Sequence, residues 1–235
     1  MNNYIISCYL TSAPDTQRGI TTKPNNPGYI QKWYDSVVRL ELNGIVLHDN
    51  LSDEFMEQFS GVEFVSVPDC PKKMQLYDYR WILYRQFMLN RDVDSVFFTD
   101  ISDVEVMNDP FPHVLSGMLY CGDERQPLQS CAWLNPAREN PVLRMLDEFN
   151  DILSLVKPVL NCGILGGNAD VVIDFLETFA AIIFDCSERP IEHTVDMGIF
   201  NYAMYYYNFD VTHGHPVNSV FRGGLNEMDV WFRHK

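Results

Sequence analysis

The chain has 235 residues, 46% of them hydrophobic and 13% aromatic, enough to bury a sizeable core in a single domain spanning 1–235. Its formal net charge of −15 sets up a field that repels polyanions, so extended nucleic acid and anionic membrane surfaces are poor default partners. Six dispersed cysteines without a CxxC spacing read as buried reduced thiols. The first residues, MNNYIISCYLTSAPD, lack the charged and long apolar regions of a signal peptide, and no apolar run approaches the ~18 residues of a membrane span, so a cytoplasmic protein without membrane insertion is expected.

In chain order, YIISCYL (4–10) reads as a first strand, and Tyr29–Leu42 carries Ile30, Trp33, Val37 and Leu40 at helical spacing. Gly44 ends that helix and GIVLHD begins a second strand. Ser52 is placed to cap a short helix through Phe59, VEFVSV (62–67) is a third strand, and Leu76–Asn90 is a second long helix. DSVFFTD then reads as a fourth strand whose unbroken apolar run suits burial on both faces. Strands alternating with helices predict an α/β fold with a mostly parallel central sheet flanked by helices. Further on, GMLYCG (117–122) is strand-like, Asn140–Leu155 is helical, and VLNCGILGG leads to a helix over Ala169–Phe184 that Asn168 is placed to cap. A helical stretch near Thr194–Tyr206 and short β-type pieces complete the chain.

Ligands of an open parallel sheet bind beyond the carboxyl ends of its strands, where FFTDISDV puts Asp100 and Asp103. Two carboxylates there can hold a hard divalent cation that neutralises a diphosphate leaving group, although Asp is also a common turn former. THGHPVNSVFR (212–222) adds His213, His215 and Arg222, and imidazole beside an aspartate pair can be a further ligand. The small residues of NCGILGG (161–167) suit either tight packing or a backbone that passes close to a ligand. Asp196, at the head of VDMGIFN, stands where a helix cap normally stands.

The order of SCYLTSAPDTQRG, Tyr79-Arg80, FFTDISD, NDPF, NCGILGG, VDMGIFN and GHPVNSVFR resembles the nucleotide-diphospho-sugar glycosyltransferases of the GT-A fold over nearly the whole chain. The likeness is nearest to the metal-dependent retaining enzymes that include glycogenin and the lipopolysaccharide galactosyltransferases. It implies a Rossmann-like fold with a nucleotide-binding half (1–106) and an acceptor-binding half (107–235). It also implies Mn²⁺ or Mg²⁺ as cofactor and a nucleotide-diphosphate sugar, a UDP-sugar first among them, as donor. Asp100 matches the first Asp of the DxD motif, a contact for metal and ribose. Ser102 stands at the second Asp position, so Asp103 is the expected direct ligand, and His215 matches the late histidine better than His213 does. Asn161 and Gly163 match the segment lining the sugar cleft, and Asp196 the acidic residue near the reacting sugar. Thr11, Ser12 and Arg18 follow the first strand, where such enzymes bind the nucleotide. Arg222 stands for the basic residue that meets the diphosphate, and Arg80 for a helix Arg directed at the diphosphate or the DxD carboxylates.

The resemblance implies transfer with retention; the missing signal and membrane segments leave a protein, a glycan or a modified nucleobase as acceptor, the last disfavoured by the net charge. Two rival readings share some of these features. A haloacid-dehalogenase-type phosphohydrolase also ends a buried strand in Asp, but on its first strand; a catalytically inactive GT-A-like binding protein would account for Ser102.

Overall fold

The computed structural model describes residues 1–14, 19–187, 196–219 and 228–234. In chain order its elements are β1 (Asn3–Tyr9), α1 (Pro27–Arg39), β2 (Gly44–His48), α2 (Asp53–Glu57), β3 (Glu63–Ser66), α3 (Leu76–Asn90), β4 (Ser95–Thr99), β5 (Val104–Val106), β6 (Leu119–Pro127), α4 (Asn135–Glu139), α5 (Phe149–Leu153), β7 (Pro158–Asn168), α6 (Ala169–Ser187), α7 (Asp196–Tyr206), β8 (Val211–His213) and β9 (Phe232–His234). Seven strands form one sheet in the order β3-β2-β1-β4-β7-β6-β8. The β1–β2, β2–β3, β1–β4 and β6–β8 pairs are parallel, while β7 runs antiparallel to both β4 and β6. Strands β5 and β9 form a separate antiparallel ribbon that registers Val104 with His234. The architecture is the mostly parallel α/β sheet expected from the sequence.

The sheet separates two buried clusters, because successive side chains of a strand point to opposite faces. Ile6, Val96, Phe98 and Leu165 pack against α3, α6 and α7, where Trp81, Phe175, Phe179 and Phe200 meet ring to ring. Ile5, Val46, Phe97 and Ile164 face α1 and the β5–β9 ribbon. Local signals start two of the helices, and the Ser52 cap is the one anticipated from the sequence. Pro27 opens α1 behind Asn26, whose side chain accepts from the Gly28 N–H, and Ser52 Oγ accepts from the Phe55 N–H at 3.3 Å.

Two local expectations are corrected. The helix anticipated over Asn140–Leu155 is instead a series of tight turns ending in the five-residue α5. Asn140 Oδ1 accepts from the amides of Val142 and Leu143 across Pro141, a helix-start arrangement, but only the single turn Leu143–Met145 follows, and Glu148 in a left-handed conformation (φ 54°) interrupts the chain before α5. Asn168 does not cap α6; its side chain donates to Ser95 Oγ at 3.3 Å, joining β7 to β4. Among the described residues, no helix is long and apolar enough to cross a membrane.

Gly166 occupies the most crowded point of the sheet. It sits opposite Phe97 on β4 and Tyr120 on β6, and a Cβ there would lie 2.2 Å from Phe97 Cδ1 and 2.5 Å from Val96 O. Phe97 is fully buried and has nowhere to move. Gly166→Ala is therefore expected to destabilise the chain by at least ~1–3 kcal/mol, read as a lower urea midpoint; an unchanged midpoint would mean the Phe97 ring yields freely.

Candidate functional site

The end of β4 is locked before it reaches Asp100. Ser7 Oγ donates to Thr99 O at 2.6 Å, Trp33 Nε1 donates to Thr99 Oγ1 at 2.9 Å, and the Asp100 N–H donates to Gly163 O at 2.9 Å. Asp100 thus emerges at the carboxyl end of the parallel strands, where a cavity of about 420 Å³ opens. Arg80, on the first turns of α3, reaches into its floor. Nη1 pairs with Asp100 Oδ1, and Nη2 lies 3.2 Å from Asp196 Oδ2 and within 3.5 Å of the carbonyl oxygen and thiol of Cys162. One guanidinium therefore joins α3, the end of β4 and the start of α7.

The rest of the floor follows from β7. Asn161 Oδ1 accepts from the Gly163 N–H at 2.7 Å, and its Nδ2 donates to Glu124 Oε1. Gly163 is required by close approach. A Cβ there would lie 2.7 Å from His234 Cε1 and 2.9 Å from Asp100 Oδ2, so the imidazole and the free carboxylate oxygen converge on its Cα. His234 is carried in by the β5–β9 ribbon and fixed by its own N–H, which donates to Ser219 Oγ at 3.1 Å. Ser102 Oγ donates to Asp103 Oδ1 at 2.8 Å on the neighbouring wall.

Burial governs the protonation states here. It pushes the Asp196 carboxyl up, partly offset by the positive charge of Arg80, the Met197 N–H and the Cys162 thiol. Asp78, on the same helix as Arg80, is raised well above the usual carboxylate range by burial and by the charge of Asp196; its Oδ1 has no hydrogen-bond partner among the described residues. His234 is lowered by burial, against the charges of Asp100, Glu124 and Asp103, and so favours the neutral, ligating form of imidazole. The two thiols on the wall, Cys8 (pushed up to about 12) and Cys162, are held protonated by burial and are poor nucleophiles.

Of the residues singled out from the sequence, Arg80, Asp100, Asp103, Asn161, Gly163 and Asp196 all line this cavity. Thr11 and Ser12 do not. Their amides and the Thr11 hydroxyl bind the Asp49 carboxylate at 2.9–3.1 Å, closing the loop after β1, and the wall on that side is made by Leu10, Thr22, Tyr29 and Tyr77. His215 is also displaced from its expected place: it is exposed, and its Nε2 lies 3.0 Å from Asp229 Oδ2. His213 pairs with Asp123 at 2.8 Å, likewise off the cavity wall. The histidine that enters the site is His234, which sequence reasoning missed. No local pattern marks it: VWFRH at 230–234 is three buried apolar residues followed by two polar ones, and only the pairing of β9 with β5 carries the imidazole inward. Arg18 and Arg222 lie outside the described residues. Among the described residues, no three His, Cys, Asp or Glu side chains stand ready as a metal-binding group.

Solved structures with this fold include the galactosyltransferase LgtC in complex with donor and acceptor sugar analogs. It matches at a TM-score of 0.55 and 12% identity, over 98% of this chain and 86% of that one. At that identity the likeness shows the fold, a GT-A-type Rossmann-like sheet, and nothing finer. No protein-family model matches the sequence, and no curated protein matches it.

The electrostatics make a stability prediction. Because burial raises the folded-state pKa of Asp78 above its ordinary 3.8, the folded chain keeps this proton to higher pH than the unfolded chain does. Stability is therefore lost as pH rises from near the ordinary value through the raised one. Asp78→Asn removes that loss, and is expected to raise the melting temperature by at least ~2 °C more at about pH 8 than at about pH 5. Equal shifts at both pH values would mean that Asp78 is not protonated in the fold.

Proposed function

We propose that the chain is a glycosyltransferase that moves a sugar from a nucleotide-diphosphate donor to an acceptor hydroxyl. The observation that carries this reading is the Asp100–Arg80–Asp196 link on the floor of a cavity at the carboxyl end of the parallel strands of a GT-A-type sheet. Breaking the bond between the anomeric carbon and the diphosphate builds negative charge on the leaving oxygen, and cationic groups fixed beforehand lower that barrier. Arg80 is fixed by two carboxylates, and Arg222 is proposed to join it at the diphosphate.

Two candidate ligands for a divalent ion approach each other, while among the described residues no group of three is preassembled. Arg80 takes only Oδ1 of Asp100; Oδ2 and the His234 ring both face the Gly163 Cα, where a glycine leaves room. Asp100 and His234, with Asp103 turned in from the neighbouring wall, would hold Mn²⁺ or Mg²⁺; carboxylates suit both ions, and an imidazole donor disfavours the oxygen-seeking Mg²⁺. Such an ion supplies charge neutralisation for the leaving diphosphate. His234 thus takes the role that the sequence pattern gave to His215.

Asp196 favours a retaining course. Oδ2 is engaged by Arg80 and the Cys162 thiol, and Oδ1 accepts from the Met197 N–H at 2.7 Å. A carboxylate so occupied is a better electrostatic and positioning group for the reacting sugar than a base toward an acceptor hydroxyl. Asp100, held by Arg80, is equally unsuited to be the free nucleophile of a phosphohydrolase.

The test is a panel of nucleotide sugars with and without Mn²⁺, read by nucleoside diphosphate release and by thermal shift. At least one donor is expected to be turned over with metal dependence. Asp100→Ala and His234→Ala should each cut that turnover by roughly a hundred-fold or more, the scale of losing one preorganised charge-stabilising group. Comparing His234→Ala with His215→Ala decides which histidine serves: equal losses in both, or a loss in the latter alone, would refute the assignment of His234. No turnover of any donor would support an inactive binding protein instead.

A further inference from the structure

One side chain on the cavity wall has no role in the chemistry above. Trp133 lines the cavity yet remains 55% exposed. Burial of an indole is among the larger apolar gains available to a chain, and the other three tryptophans, Trp33, Trp81 and Trp231, are no more than 7% exposed. The exposure of Trp133 does not come from a loose segment. It stands on a short turn whose neighbours Cys131 and Leu134 are fully buried. Arg138 ties that turn down, donating to the carbonyls of Leu128, Cys131 (3.0 Å) and Leu153 (3.3 Å) and to Asn135 Oδ1 (2.7 Å). The indole is thus presented at the mouth of the cavity by a rigid support.

A flat apolar face held at the rim recognises a flat apolar face on a ligand, while the groups beneath it recognise the rest. The described residues lining the cavity include the carboxylates Asp100, Asp103, Glu124 and Asp196, with Arg80 as their guanidinium. Carboxylates accept hydrogen bonds from hydroxyl groups and repel phosphates that no cation neutralises. A pyranose has both required parts: a C–H face that stacks on an aromatic ring and a ring of hydroxyl donors. A polynucleotide has a stacking base but brings a phosphate backbone toward an acidic rim on a chain of net charge −15.

We propose that Trp133 is the stacking platform of the acceptor site and that the acceptor is a neutral saccharide. This rests on the transferase reading for what happens to the saccharide, and on the structure for where it binds. Glu124, whose carboxylate accepts from Asn161 on β7, lines the same cavity and is the group assigned to accept from an acceptor hydroxyl.

Because Trp133 is the one tryptophan more than 7% exposed, acrylamide quenching of the emission reports on it. The full chain, with and without UDP and Mn²⁺, is titrated with methyl glucoside, methyl galactoside, lactose and maltose, and in parallel with a single-stranded oligonucleotide carrying hydroxymethylcytosine. Binding is followed by calorimetry as well. At least one saccharide is expected to shield Trp133 from acrylamide saturably. Trp133→Ala should weaken that saccharide by roughly ten-fold or more, and Trp133→Phe by less, because a smaller ring retains part of the stacking. Val156→Ala, which removes an exposed apolar group outside the cavity lining, should leave binding unchanged. Shielding by the oligonucleotide and by no saccharide, no shielding by any probe, or saccharide binding unaffected in Trp133→Ala would each overturn the proposal. Donor turnover without saccharide shielding would sink this site and leave the transferase reading standing. Saccharide shielding without turnover of any donor would do the reverse.

Discussion

The interaction on which the site depends is the buried guanidinium of Arg80 between Asp100 and Asp196. Removing three charged groups from water costs several kcal/mol per ion, so such a link is a weak source of stability. Its value lies in what it fixes. The three residues belong to a helix, a strand end and a helix start that are far apart in sequence, and the link sets their mutual positions to within a hydrogen bond. It also fixes the local charge. Burial holds the Asp78 carboxyl well above the usual carboxylate range, so that group adds little negative charge beside the one cation that faces Asp100 and Asp196.

The sheet is built to let this happen. Strand β7 runs against its neighbours, so its middle, rather than its end, lies beside the end of β4, and Gly163 can receive Asp100 through a main-chain hydrogen bond. Two of the glycines in NCGILGG then serve different purposes. Gly166 makes room for the Phe97 ring in the core, whereas Gly163 makes room for Asp100 and His234 in the cavity. Of the two readings that the sequence allowed for small residues there, Gly166 realises tight packing, while Gly163 lies on the cavity wall between Asp100 and His234.

This division explains what could be seen in advance. The apolar runs of β1, β2 and β4 and the helical spacing of α1 and α3 are local patterns, and they were legible because burial on both faces of a parallel sheet imposes them. Asp100, Asn161, Gly163 and Asp196 were legible because their order along the chain is itself a pattern. The breakdown of the anticipated helix at 140–155 was not, because the left-handed conformation of Glu148 interrupts it at a residue type that gives no sign of a break. His215 misled for a related reason. Its neighbourhood carries the familiar sequence signature, but access to the site depends on strand pairing between β5 and β9, a contact across more than a hundred residues that spacing does not encode. Thr11 and Ser12 follow the right strand, yet the carboxylate of Asp49 claims their donors.

Strand pairing also bears on the unusual spacing of the carboxylates. In D-I-S-D the second acid comes three positions after the first, and Ile101 between them is buried among the apolar residues under the sheet. Ile101 and Ser102 line the cavity together with Asp100 and Asp103, so the whole turn forms part of its wall, and Val104 enters the ribbon directly opposite His234. His234 lines the same cavity as Asp100 and Asp103, so the ribbon and the turn supply an imidazole and two acids to one cavity, while among the described residues they do not form a preassembled group of three. Ser102 donates to Asp103 Oδ1 at 2.8 Å, and its hydroxyl thereby ties the second acid to the turn.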